Sequence, residues 1–204
     1  MFQYQTIEPG TLQLLKQLQE LPLLKWSRLV GGTALALQLG HRKSVDLDLF
    51  GGIDASSEEI REALSMSHSI TVVKESRNIN IYLIDGIKVD FVNYKYAWID
   101  KAVEEDTIIL AGIKDIAAMK IAAVVGRGTK KDFIDLYFLL RQYSLQEILQ
   151  LYLQKYPDGS LFIALKSLSY FEDAEPDPMP VMFEKVKWED VKARIKQAVA
   201  SFVE

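Results

Sequence analysis

Residues 29–50 read LVGGTALALQLGHRKSVDLDLF. An apolar strand runs into Gly31-Gly32-Thr33, a short helix follows and stops at Gly40, and a second strand carries Asp46 and Asp48 between Val45, Leu47 and Leu49. Strand side chains at i and i+2 leave the same face, about 7 Å apart along the backbone. Both aspartates therefore share one face, and Leu47 and Leu49 take the other. Two carboxylates so placed suit a divalent cation. A helix opened by glycines offers its first N–H groups to a phosphate, although Gly31 and Gly32 would serve equally as a tight turn with no ligand. Metal and phosphate together point to nucleotide chemistry.

A third strand aspartate lies downstream. Ile79–Ile84 and Ile87–Val92 alternate apolar and polar residues around an Asp85-Gly86 turn, the pattern of a tight hairpin. Asp90 sits in IKVDFVNY, with Val89 and Phe91 directed to the opposite face. If this strand pairs with the Asp46–Asp48 strand, three carboxylates share a face, enough to hold metal and polarise an attacking hydroxyl. The alternative is an exposed strand end. Asp54, Asp85 and Asp106 read as turn or cap residues.

Composition narrows the chemistry. The 204-residue chain has no cysteine and two histidines, His41 and His68, so thiolate zinc sites and histidine-rich metal sites are excluded. A metal held by carboxylates is Mg²⁺ or Mn²⁺ rather than zinc. No apolar run is long enough for a membrane span, and the N-terminus lacks a secretory pattern, so a cytoplasmic protein without a membrane partner is expected. The net charge of −4 argues against a protein that coats nucleic acid. Two basic patches, His41-Arg42-Lys43 and Arg127 with Lys130 and Lys131, are candidates to grip a few phosphates; a solvated loop is the alternative, and the better one for Lys43.

Flanking elements follow from periodicity. Leu12, Leu15, Leu18 and Leu21 mark a helix that ends at Pro22. Ser56-Ser57-Glu58-Glu59 opens another with capping chemistry. Strands are expected at 69–74 and 107–111, and helices at 114–125, 130–142, 144–155, 160–168 and 188–202. The division is an α/β core over 1–112 and a helical portion over 113–204.

The helical portion contains charges that apolar helices should not have. Lys120 lies among Ile116, Ala117, Met119, Ile121, Ala123 and Val124, and Asp132 and Asp135 lie three apart in KDFIDLYFLL. An unpaired buried ammonium costs several kcal/mol, so antiparallel packing should bring Lys120 to one of these aspartates. A register-fixing ion pair and a phosphate-directed lysine oriented by Asp135 both fit this pattern.

At these residues the chain resembles the AbiEii/AbiGii-type nucleotidyltransferases of the DNA polymerase β-like superfamily. The blocks that carry the resemblance are GGTAL (31–35), RKSVDLDLF (42–50), KVDF (88–91), DIAAMKIAA (115–123) and KKDFIDLYFLL (130–140). It implies an α+β fold with a nucleotidyltransferase-like mixed sheet, flanking helices and a helical C-terminal portion that completes the active site. It implies Mg²⁺-dependent transfer from an NTP to an acceptor hydroxyl. Asp46, Asp48 and Asp90 would be metal ligands and catalytic carboxylates, with Lys120 and Asp135 catalytic beside them. Gly31, Gly32, Thr33, Arg42 and Ser44 would bind the nucleotide phosphates. Some members of that family are toxins of toxin–antitoxin pairs that modify tRNA or bind GTP, and their antitoxins are separate DNA-binding proteins. An RNA acceptor and an antitoxin are thus expected partners. A nucleotide-binding module without transfer activity and transfer to a small molecule are the competing readings.

Overall fold

A computed structural model describes residues 1–53 and 55–203; Asp54, expected to be a turn residue, lies outside them. The chain divides into two units. The first comprises Met1–Gly40, Ser44–Tyr96 and Lys101–Ala111, and the second comprises His41–Lys43, Ala97–Asp100 and Gly112–Glu204.

The first unit is built on a seven-stranded mixed sheet. Its strands are β1 (Ser27–Val30), β2 (Leu47–Gly51), β3 (Ile70–Glu75), β4 (Ile79–Ile84), β5 (Ile87–Asn93), β6 (Val103–Glu105) and β7 (Ile108–Leu110). Their order is β3-β4-β5-β2-β1-β7-β6. β2 runs antiparallel to β1 and parallel to β5, and β7 runs parallel to β1. The turn joining β4 to β5 has positive φ at both Asp85 (51°) and Gly86 (82°), as a right-twisted two-residue hairpin requires. Asp106 also has positive φ, in keeping with its reading as a turn residue.

The α-helices described with the sheet are α1 (Pro9–Glu20), α2 (Gly31–Leu39) and α3 (Ser57–Ser65). α1 begins at Pro9, whose fixed φ suits a first helical turn, and buries Leu14, Leu15 and Leu18. Its Gln19 amide accepts from Ile109 N at 3.0 Å and donates to Ile109 O at 2.8 Å, which fastens the helix to β7. α3 has the complete capping box between Ser56 and Glu59. Leu29, Leu35, Leu37, Leu47, Leu49, Ile60, Tyr82, Val89 and Phe91 form the core of this unit.

The second unit is helical: α4 (Ile113–Gly126), α5 (Lys130–Leu139), α6 (Leu145–Lys155), α7 (Leu161–Leu168) and α8 (Trp188–Val203). Ile116, Ile121, Phe133, Ile134, Leu136, Ile148, Leu149, Leu168, Val191 and Ile195 fill its interior. Residues 41–43 pair with the loop before α8. Lys43 N donates to Val181 O, and Phe183 N donates to His41 O. Asp115 and Lys155, both fully buried, pair at 2.6 Å. Asp115 also accepts from Ile99 N and Asp100 N, and Lys155 donates to Ala97 O. That clasp carried no expectation from sequence. Among the described residues no helix is long and apolar enough to cross a membrane.

Candidate active site

The parallel pairing of β2 with β5 sets Asp48 beside Asp90, with Leu47 beside Val89 and Leu49 beside Phe91. The leucines, Val89 and Phe91 are buried, whereas Asp48 and Asp90 are partly exposed. The alternation predicted for this strand is thus the one that folds. Asp46 lies one residue ahead of β2, partly exposed like Asp48, with buried Leu47 between them. Val45 does not join the buried set; it is exposed, because the strand starts only at Leu47.

Asp48 stands against the start of α2. Gly31 has φ +70°, and a Cβ there would overlap Asp48 Oδ2. The position therefore requires glycine twice, for its left-handed backbone and for the space that the carboxylate fills. Thr33 is almost wholly buried. Its hydroxyl donates to Asp46 O and shares a 2.8 Å hydrogen bond with Ser44 Oγ. Thr33 and Ser44 thereby hold the backbone that leads into Asp46.

Sequence reading assigned nothing to Lys88, yet it lies two residues before Asp90 on the same strand face. Its Nζ donates to Asp90 Oδ1 at 2.6 Å, with the lysine side chain 41% exposed and that of Asp90 19% exposed. Partial burial pushes the ammonium pKa down. The hydrogen bond to Asp90 and the charges of Asp90, Asp48 and Asp46 outweigh that and raise it. The i, i+2 spacing of Lys88 and Asp90 was the readable signal.

The donor set is chemically suited to a hard divalent ion, being made of carboxylate oxygens. The Lys88 ammonium already lies in the field of all three carboxylates. Among the described residues no three Asp, Glu or His side chains are gathered as ready metal ligands. Asp46, Asp48 and Asp90 are the carboxylates of this face that would hold such an ion.

The helical unit holds a second charged cluster. Asp135, fully buried, accepts from Arg42 Nε at 2.7 Å, from a second nitrogen of the same guanidinium at 2.8 Å and from His41 Nε2 at 2.8 Å. Lys120 Nζ lies 2.7 Å from Asp135 Oδ2 and 3.0 Å from Asp132 Oδ1. Asp132 also takes both arms of Arg127 and the Thr129 hydroxyl. Lys120 therefore meets both aspartates rather than one. Burial pushes both carboxyl pKa values up. The charges and donors around them overcome it and hold both below the ordinary carboxylate value. Burial likewise lowers the pKa of Lys120, but Asp135 and Asp132 raise it further. His41 donates through Nε2, and its buried Nδ1 has no hydrogen-bond partner.

Both basic patches contain residues engaged in such contacts. His41 and Arg42 are buried at 2% and 3% exposure, because Asp135 draws them in. Arg42 spends its fork on that carboxylate, and its remaining nitrogen on Lys43 O. Lys130 is buried and bonds to Glu175 O and Asp177 O. Lys131 is exposed.

A mixed sheet with a Gly-Gly helix start beside strand carboxylates defines the chain as a nucleotidyltransferase. Residues 13–203 match the family model described as "Nucleotidyl transferase AbiEii toxin, Type IV TA system", and the chain belongs to that family. It is 37% identical over 188 residues to the uncharacterized protein aq_aa25 of Aquifex aeolicus (strain VF5), covering 86% of this chain and 87% of that one. Solved structures share the fold at 17% identity. MenT4, nucleotidyltransferase toxin Rv2826c from Mycobacterium tuberculosis H37Rv, superposes with a TM-score of 0.64 over 94% of this chain and 83% of its own. JHP933 from Helicobacter pylori superposes with a TM-score of 0.60 over 96% and 92%.

Proposed function

We propose that the protein transfers a nucleotide from an NTP to a hydroxyl of RNA, with tRNA as the acceptor class, in a Mg²⁺- or Mn²⁺-dependent reaction restrained by a separate antitoxin. The observation that carries the reading is the Asp48–Asp90 neighbour pair on β2 and β5, with Asp46 two residues upstream. Asp46, Asp48 and Asp90 would hold the ion. A divalent ion bound there neutralises the triphosphate and the departing pyrophosphate. The N–H groups at Gly31 and Gly32 bind triphosphate oxygens, as helix starts do. Asp90 accepts the proton of the acceptor hydroxyl, whose oxygen then attacks the α-phosphorus in line as pyrophosphate leaves. Lys120 and Asp135, in the helical blocks of the family, enter the proposal as residues required for transfer.

The test incubates the protein with each labelled NTP, Mg²⁺ and total RNA. Label should appear in RNA, and Asp48→Asn or Asp46→Asn should lower it by about 10²–10³-fold or more while the melting curve stays close to wild type. Full activity in either variant would remove the carboxylates from the mechanism. Transfer to a small molecule is the second reading, favoured by the burial of Lys130 and the engagement of Arg127 with Asp132. Label in a small-molecule fraction, with RNA unlabelled, would establish it.

A further inference from the structure

Lys88 stands on the carboxylate face without a part in the chemistry above. Lys88 and Asp90 are on one strand and one face, and Asp90 neighbours Asp48 across the parallel pair. Asp46, one residue ahead of β2, lies close enough for its charge to act on Lys88. The face thus carries three negative charges and one positive charge in two short rows. Like charges side by side on adjacent strands oppose pairing, and the ammonium offsets that opposition. Its 2.6 Å bond to Asp90 occupies one of the two oxygens that this carboxylate could offer a metal. The side chain is 41% exposed, and a lysine stem is flexible, so its head can leave.

We propose that Lys88 is a displaceable counter-ion that couples metal binding to nucleotide binding. The proposal rests on the nucleotidyltransferase reading of this site. A divalent ion arriving alone competes with the ammonium for Asp90 and leaves it without a partner. An ion arriving with a nucleoside triphosphate brings phosphate oxygens that receive the displaced ammonium. The site therefore favours the metal–nucleotide pair over the free ion. Lys88 is in these terms a positioning residue that stays charged throughout and exchanges one anion for another.

The experiment titrates Mn²⁺ into the whole protein and follows the free-ion signal by electron paramagnetic resonance. It is run with and without the four α,β-methylene NTPs, for wild type, Lys88→Met, Lys88→Arg and Asp48→Asn. Thermal melts check that each variant folds. Wild type should bind Mn²⁺ weakly alone and about tenfold more tightly with nucleotide. Lys88→Met should bind Mn²⁺ alone more tightly than wild type, and nucleotide should strengthen it little. Lys88→Arg should restore the wild-type coupling. Unchanged Mn²⁺ affinity and unchanged coupling in folded Lys88→Met would overturn this inference and leave the metal site standing. Absence of Mn²⁺ binding to wild type under every condition, or equal binding by Asp48→Asn, would overturn the metal-site reading and the inference with it.

Discussion

The sheet unit and the helical unit each gather acidic and basic side chains, under opposite conditions of solvent. On the sheet, Asp46, Asp48 and Asp90 stand partly exposed, and Lys88, itself 41% exposed, bonds to Asp90. In the helices, Asp132 and Asp135 are fully buried and take Lys120, Arg42, Arg127, His41 and Thr129 between them. A charge near water can change partners at small cost, whereas a buried charge that loses its partner cannot be rescued by solvent. The first arrangement lets charges exchange partners, and the second holds helices in register besides the part proposed for Lys120 and Asp135 in transfer. Similar residue types thus do different work according to depth.

Removing one carboxylate from each cluster is the sharpest way to break this comparison. Asp135→Asn strips a charge from Arg42 and Lys120 and should cost about 3–5 kcal/mol of stability in urea melts. Asp48→Asn should change the melt little while abolishing transfer. A melt for Asp135→Asn within about 0.5 kcal/mol of wild type, the range of a surface substitution, would end the argument from depth.

Acid offers a second handle. Asp132 and Asp135 have folded-state pKa values below the ordinary 3.8. The stability they add is fully present above that unfolded value and is lost as pH falls below it towards the folded values. The wild-type urea midpoint should therefore drop more steeply below about pH 4 than that of Asp135→Asn. Parallel acid profiles for the two proteins would show that Asp135 does not carry the linkage.

Gly31→Ala should have a mixed effect. The left-handed backbone costs about 1–2 kcal/mol with a side chain present, and the new Cβ displaces the Asp48 carboxylate. Mn²⁺ binding should weaken more than stability does. The smallest effect is expected at the caps. Ser56→Ala and Ser144→Ala each lose a complete capping box, worth about 1 kcal/mol, and both should leave transfer unchanged.

The strands and helices were legible because their signals are local. The β4–β5 turn follows from Asp85-Gly86, the cap of α3 from Ser56 and Glu59, and the strand alternation from Leu47, Asp48 and Leu49. The neighbouring of Asp48 and Asp90 was conditional in the sequence, since it depends on which strands pair. Lys120 was legible as a buried charge in need of a partner, but its sharing between Asp132 and Asp135 was not. Least legible were His41 and Arg42. They read as an exposed basic run because the carboxylate that buries them, Asp135, lies far along the chain. Lys88 was overlooked because a lysine on a partly exposed strand is unremarkable until the charges beside it are known.

The β2–β5 register also bears on how the molecule comes into being. Parallel strands distant in sequence pair slowly, since chain entropy is lost before the contact rewards it. During synthesis the segment with Asp46 and Asp48 emerges well before the one with Asp90. A nascent chain therefore owns two of its three carboxylates long before the third. Asp90 and Lys88 then arrive on one strand in a single event, so the complete acidic face and its balancing charge appear together. On the proposed chemistry, a nascent chain would lack its complete carboxylate set until that strand docks.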